Sequence, residues 1–370
     1  MIDDRLPDVS RDAGSHAILG HIASLRRLGF ETTFVPALEL DAADGEAARR
    51  LAGQGISVAG APFHHTVEDV LRQQAGLFDV IYLHRLSNAS KYAALARQYC
   101  PDARLIYSVA DLHHLRMHRQ AAVLHEPALA QRAEAVRLAE LMAVMAADQV
   151  ITHSTHEAEV LRAAGFGEKV NVVPWPVVVR PSAPRFQERQ GIAFIGGYNH
   201  APNLDAAHWL LDAIMPQVWR NDPSIPCLLV GSGLPPSLAE RADARVRIIG
   251  QVDDLGTVLD QVRLTVAPLR FGAGIKGKVL DSLAAGVPCV GTGMAAEGLD
   301  LPAALRDSFV DDPCDLAERI MRVHRDPACF DALRDGGLAF AAAAFSDARV
   351  DARMRTVLGT NPSADQRAVA

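Results

Sequence analysis

"RLTVAPLRFGAGIKGKVLDSLAAGVPCVG", residues 263–291, decides how the rest of the chain is read. An apolar run (263–269) reads as a strand. It enters a loop, "RFGAGIKG", whose three glycines permit positive φ and close approach of backbone amides to a ligand. The stretch "KVLDSLAA" then reads as a helix with Gly286 as its C-cap, and Pro288 opens the next strand. Strand, helix and strand in this rhythm imply a parallel sheet covered by helices on both faces.

The rhythm extends over most of the chain. Residues 31–37, 78–85, 103–111, 147–154 and 170–177 read as strands, with helical periodicity between them. Residues 178–190, "VVRPSAPRFQERQ", break the pattern and read as a linker. It resumes with strands at 191–197, 225–233, 245–252, 263–269 and 287–293. The expected organisation is α/β: two Rossmann-like, doubly wound domains, 1–177 and 191–344, facing a cleft at the carboxyl ends of their strands. An amphipathic helix at 345–359 is expected to pack back toward the N-terminal domain, ahead of a tail at 360–370. The first strand is short, "MI" before "DDRLPD", as in a module cut from a longer protein.

Composition narrows the function classes. Hydrophobic residues make up 49% and aromatic residues 5%, and the formal net charge is -7, which leaves no basic stripe or stacking platform for nucleic acid. Five scattered cysteines, none in a C-x-x-C pair, suggest neither a disulfide framework nor a zinc site and favour a reducing cytoplasm. No apolar run reaches the roughly 18 residues of a membrane span, which leaves only peripheral membrane contact open.

The loop at 272–278 stands out against this background. Only four of the 37 basic residues are lysines, Lys91, Lys169, Lys276 and Lys278, and two of them sit here at the start of a helix. Lysine opposes the helix dipole at that end by roughly 0.3–1 kcal/mol, unless an anion is bound there. A helix N-terminus with glycine amides and two compact charges suits a diphosphate. A surface turn is the plain alternative.

"APLRFGAGIKGKVLDSLAAGVPCVGTGMAAEGL", taken with "FIGGYNHAPNLDAAHWLLDAIMP" (194–216) and "PDVSRDAGSHAILGHIASLRRLGF" (7–30), resembles family 4 of the glycosyltransferases, which have the GT-B fold. The resemblance spans nearly the whole chain in the expected order. It implies retaining transfer of a sugar from a nucleotide-sugar donor, with no metal and no cofactor. It places Gly196 and Gly197 near the diphosphate, Val252 and Leu255 near the base, and Asp281 on the ribose. Lys276, Lys278 and the amides of Gly274, Ile275 and Gly277 would hold the departing diphosphate, and Glu297 would contact the ribose or the sugar. Two departures matter. Ala273 stands where relatives often carry Glu, and Tyr198-Asn199-His200 stands where they often carry a basic residue, so more of the phosphate duty falls on Lys276 and Lys278.

In the N-terminal half, "RDAGSHAILG" matches the family's Gly-containing loop, with Gly14 and Ser15 as candidate donor contacts; Ser15 as a plain N-cap explains the stretch equally well. "SVADLHHLRMHR" places His113 and His114 where the family often has a cleft histidine. They are candidates to orient the acceptor or donate to a sugar hydroxyl, against a reading as helix-start polar residues. His114 and His118 have metal-ligand spacing, but nothing further follows at zincin spacing. Arg85 is another candidate cleft residue. No D-x-D, G-x-G-x-x-G or G-x-S-x-G occurs, the "HRD" at 324–326 lacks other kinase elements, and "STHE" (154–157) reads as a capping box.

The expected partners are thus a nucleotide-sugar donor and a glycan, lipid-linked or protein acceptor, in bacterial surface-glycan assembly. Two alternatives remain: a nucleotide-sugar epimerase of the same architecture, and a non-catalytic binding module of a larger protein.

Overall fold

The computed structural model describes residues 1–8, 13–43 and 45–359. It divides into two compact units. The first comprises residues 1–115, 128–176 and 347 onward, and the second 116–127 and 177–346.

The first unit is built on a seven-stranded parallel sheet of order β3-β2-β1-β4-β5-β6-β7. Its strands are β1 (Ile2–Asp3), β2 (Thr33–Pro36), β3 (Ser57–Val58), β4 (Val80–His84), β5 (Arg104–Val109), β6 (Gln149–Thr152) and β7 (Val170–Val172). The two-residue β1 is central and pairs with both β2 and β4. Period-2 side-chain alternation divides the core between the two faces. Leu83, Leu105, Tyr107 and Val150 pack on one face, and Tyr82, Ile106 and Ile151 on the other. The second face is closed by Ile18, Ile22 and Leu25 of the helix Ala13–Arg27, and by Val350, Met354 and Val357 of the final helix Asp347–Leu358. Asp351 ties these two helices together, accepting from Ser24 at 2.6 Å and from Arg27 Nε and Nη2 at 2.8 Å each.

The second unit carries a five-stranded parallel sheet of order β10-β9-β8-β11-β12. Its strands are β8 (Ile192–Ile195), β9 (Cys227–Val230), β10 (Val246–Gly250), β11 (Leu264–Ala267) and β12 (Cys289–Gly291). In both sheets the chain starts in the middle and works outward in each direction, which is the doubly wound topology expected from the alternation of strand and helix.

Two segments differ from the sequence reading. The edge strand β3 lies in "GISVAG", too short to show a period of two. The stretch expected as a linker is held against the second unit. Arg180 and Ser182 donate their N–H groups to the carbonyls of Ala284 and Ala285, at 3.0 and 2.8 Å. Arg189 is 1% exposed, and its guanidinium donates to the carbonyls of Leu259 and Val262 and to the Ser182 hydroxyl. The residues from 360 on, expected as a tail, lie outside the described residues. No helix among the described residues is long and apolar enough to cross a membrane.

Candidate functional site

In a doubly wound sheet the loops leaving the two central strands run in opposite directions and open a crevice at the strand ends. In the second unit these strands are β8 and β11, which pair directly. Gly196 and Gly197 follow β8, and the loop with Lys276 and Lys278 follows β11.

The turn after β8 is crowded at Gly196. A Cβ on Gly231, whose φ is +133°, would lie 2.1 Å from the Gly196 carbonyl oxygen, and a Cβ on Gly196 would lie 2.9 Å from Lys278 Nζ. The β11 loop turns through Gly274 at φ +64° and delivers Lys276 as the N-cap of the helix Gly277–Ala284. Lys276 is 7% exposed, and its ammonium donates to the Gly274 carbonyl at 2.7 Å. The helix is fixed by its apolar face, with Val279, Leu280, Leu283 and Ala284 buried, and by Ser282, which donates to the Val287 carbonyl at 2.9 Å and lies 2.7 Å from the Thr265 hydroxyl. Asp281, one turn in, is exposed.

Lys278 reaches back across the switch point. Its ammonium donates to Asn203 Oδ1 at 2.6 Å and lies 4.6 Å from the centroid of the Phe194 ring. Burial pushes its pKa down to about 7; Cys289 opposes the shift and neighbouring Lys276 adds to it. Asn203 also donates to the Gly197 carbonyl at 2.9 Å, so one side chain ties Lys278 to the glycine turn.

Val252 and Leu255, in the loop after β10, are half-buried against the cluster of Ala193, Leu228, Val230 and Val258. Glu297 follows the short helix Gly293–Ala296, and both of its carboxylate oxygens accept from Arg119 at 2.8 Å.

In the first unit the switch point lies between β1 and β4. Arg85 opens the helix Arg85–Tyr99 with a φ of +73°, a strained conformation for a residue with a Cβ, and its Nε donates to Asp3 Oδ1 at 2.9 Å. Asp3 is buried, and that burial raises its carboxyl pKa despite the guanidinium. Ser15 is the third residue of its helix, so it is not the N-cap; its buried hydroxyl accepts from the Asp8 N–H at 3.0 Å. Gly14 stands beside it, half-buried. Residues 9–12 of this loop lie outside the described residues.

His113 and His114 begin the helix His113–Leu124, and two buried carboxylates set its start. Glu140, fully buried, accepts the His113 N–H at 2.6 Å and pairs with His114 Nδ1. Glu157 accepts the Leu112 N–H at 2.7 Å and the Thr152 hydroxyl at 2.8 Å. The two histidines therefore face different surroundings. His114 is 5% exposed and its ring is engaged by Glu140, whereas the half-exposed His113 pairs with Asp111 at 3.0 Å. The capping box expected at 154–157 forms only by half. Ser154 accepts the Glu157 N–H at 3.3 Å, but the Glu157 carboxylate turns to Leu112 and Thr152. Among the described residues no group of three or more His, Cys, Asp or Glu could hold a metal ion.

Asn203 and Arg119 were not legible as site residues. Asn203 reads as ordinary helix-start chemistry, and one arginine among 33 carries no signal.

Residues 189–326 match the family model described as Glycosyl transferases group 1. No curated protein sequence matches the chain. Among solved structures, Anabaena Alr3699/HepE in complex with UDP and glucose superposes with a TM-score of 0.70 at 15% identity, covering 97% of this chain and 98% of that one. A glycosyltransferase from Rickettsia africae superposes at 0.62 and 11% identity, covering 95% and 96%. The α,α-trehalose 6-phosphate synthase of Burkholderia multivorans superposes at 0.57 and 12% identity, covering 81% and 76%. The chain has the GT-B fold of these solved structures, and the part of it that matches the glycosyl transferases group 1 model, residues 189–326, is the part of the second unit that carries the switch-point loops.

Proposed function

We propose that the protein transfers a sugar from a nucleotide-sugar donor with retention of configuration, without a metal or cofactor, to a glycan, lipid-linked or protein acceptor in bacterial surface-glycan assembly. The observation that carries this reading is the pair of lysines at the mouth of the 277–284 helix. Lys276 is buried on its own loop, and Lys278 reaches over Phe194 to the glycine turn. A departing diphosphate develops negative charge as the sugar bond breaks, and fixed amides and ammonium groups that meet that charge lower the barrier. Asp281 is exposed one turn along the helix, where ribose hydroxyls would follow the diphosphate. In the first unit, His113 is the more exposed of the two candidate histidines and is assigned to a sugar hydroxyl.

The solved HepE complexes with UDP and glucose and with UDP-glucose support a nucleotide-sugar donor for this architecture. The test begins with a thermal-shift screen of UDP-, GDP-, ADP- and dTDP-sugars in the presence of EDTA. A donor at 100 times its Kd stabilises by about 2.7 kcal/mol. Product analysis with the stabilising donor alone then separates transfer from epimerisation. Lys276→Ala and Lys278→Ala should each lower turnover by about 10²-fold or more; wild-type turnover in both variants sinks the reading.

A further inference from the structure

We infer that Arg119 is a positioning residue of the donor site, holding the diphosphate loop in shape and masking the charge of Glu297; this rests on the proposed donor role of that loop. Arg119 lies in the helix His113–Leu124, within the stretch 116–127 that packs in the second unit. Its guanidinium makes a bidentate pair with Glu297, 2.8 Å on each arm, and one arm also donates to the Gly272 carbonyl at 2.8 Å. The Met294 sulfur lies 3.6 Å from that same arm. The paired side chains retain 22% and 18% of their exposure, so solvent screens them less than a surface pair. The planar fork of Arg suits this two-pronged contact, and a lysine would meet one oxygen at a time.

The position of Gly272 gives the contact its meaning. A Cβ there would lie 3.5 Å from Lys276 Cε and 3.9 Å from the Met294 side chain, so Gly272 is packed against the lysine that caps the helix. Arg119 holds the carbonyl of Gly272, and Lys276 holds the carbonyl of Gly274 two residues on. One cation thus anchors the start of the loop, and the other folds its middle. Glu297 belongs to the loop after β12, so the fork also joins the two neighbouring loops at the strand ends.

Removing Arg119 has two separable consequences. The Gly272 carbonyl loses its donor, and Glu297 loses its bidentate cation beside a loop meant for an anion. Replacing Glu297 as well cancels the second consequence and leaves the first.

The experiment combines nucleoside-diphosphate binding with hydrogen exchange of the ligand-free protein, in wild type, R119A, R119K and R119A/E297Q. Wild type is first titrated with UDP, GDP, ADP and dTDP, and the tightest binder is the probe for all variants. R119A should weaken the probe by at least tenfold. R119K should recover part of that loss, and R119A/E297Q should bind more tightly than R119A. In the absence of nucleotide, the amides of residues 273–277 should exchange faster in R119A while the core of the second unit exchanges as in wild type. R119A binding within twofold of wild type, or exchange at 273–277 unchanged, overturns the inference. Wild type binding none of the four diphosphates overturns the donor reading itself, and the exchange comparison still reports whether Arg119 holds the loop. If R119A does not fold, R119K keeps the charge while losing the fork and carries the same comparison.

Discussion

Lys278 donates to the Asn203 side-chain oxygen at 2.6 Å with its ammonium 4.6 Å from the Phe194 ring centroid, so the ligand-free protein holds this charge in a partly apolar setting. Burial lowers its pKa to about 7, which leaves it mostly neutral at pH 8. A bound diphosphate restores the preference for the charged form, so binding takes up a proton. At pH 8 the uptake should approach about 0.9 proton per nucleotide if the bound pKa lies well above 8. Calorimetry in buffers of different ionisation enthalpy measures it directly. Affinity should fall as pH rises above 7, and Lys278→Met should remove both the uptake and the pH dependence.

Gly196 offers a steric test of the same site. A Cβ there would lie 2.8 Å from Asn203 Cγ and 2.9 Å from Lys278 Nζ, displacing both partners of that hydrogen bond. Gly196→Ala should leave the fold intact, because the crowded atoms are side-chain ends, and should weaken nucleoside-diphosphate binding by about tenfold or more, the loss of one charge-assisted hydrogen bond. Gly197→Ala crowds no protein atom, the nearest to its Cβ being the Ser232 hydroxyl at 3.7 Å, so a loss of affinity there reports contact with the diphosphate itself. Wild-type affinity in both variants would remove the Gly196 turn from the donor site.

Much of this arrangement is legible in the chain because it depends on local chemistry. Short apolar runs specify strands such as β5 and β11, and three glycines before a helix with two rare lysines mark the loop after β11. What stays hidden depends on distant partners. Glu140 reads as one polar residue in the long helix Pro127–Ala146, yet it is fully buried and supports the start of a helix 27 positions earlier in the chain. Glu157 looks like the second half of a capping box, and its carboxylate is drawn away because the Leu112 N–H needs an acceptor. Arg119 and Glu297 are 178 positions apart, and neither carries a local pattern that would pair them.

The two candidate histidines should separate by readout. His114 is 5% exposed and its ring is bound to the buried Glu140, so His114→Ala takes the ring partner from a buried carboxylate that keeps only backbone N–H donors, a change that should destabilise by up to about 3–5 kcal/mol. His113→Ala disturbs a half-exposed pair with Asp111 and should cost far less thermal stability than His114→Ala. A loss of turnover in His113→Ala at constant melting temperature assigns His113 to the substrate, and unchanged turnover removes it from the site. Glu140→Gln should weaken stability as His114→Ala does, since it keeps the shape while losing the charge that both His N–H groups and the ring face.

A separate group of histidines should set the acid limit of the fold. His21 is fully buried between Tyr82 (Nδ1 to Oη 2.7 Å) and the Pro174 carbonyl (Nε2 to O 3.0 Å), and His153 packs against it with ring centroids 5.3 Å apart. Burial lowers their pKa values to about 3 and about 4, and His84 is shifted in the same direction for the same reason. These groups take up protons more readily in the unfolded chain, whose ordinary value is 6.5. Their contribution is therefore fully present above pH 6.5 and is lost as pH falls toward 4. Each such group steepens the decline by up to about 1.4 kcal/mol per pH unit in that window. Urea unfolding of wild type and His153→Gln at pH 7.5, 6 and 5 measures the slope. The variant should start less stable, because Gln fills the site poorly, yet decline less steeply; parallel slopes would show that His153 does not titrate on unfolding.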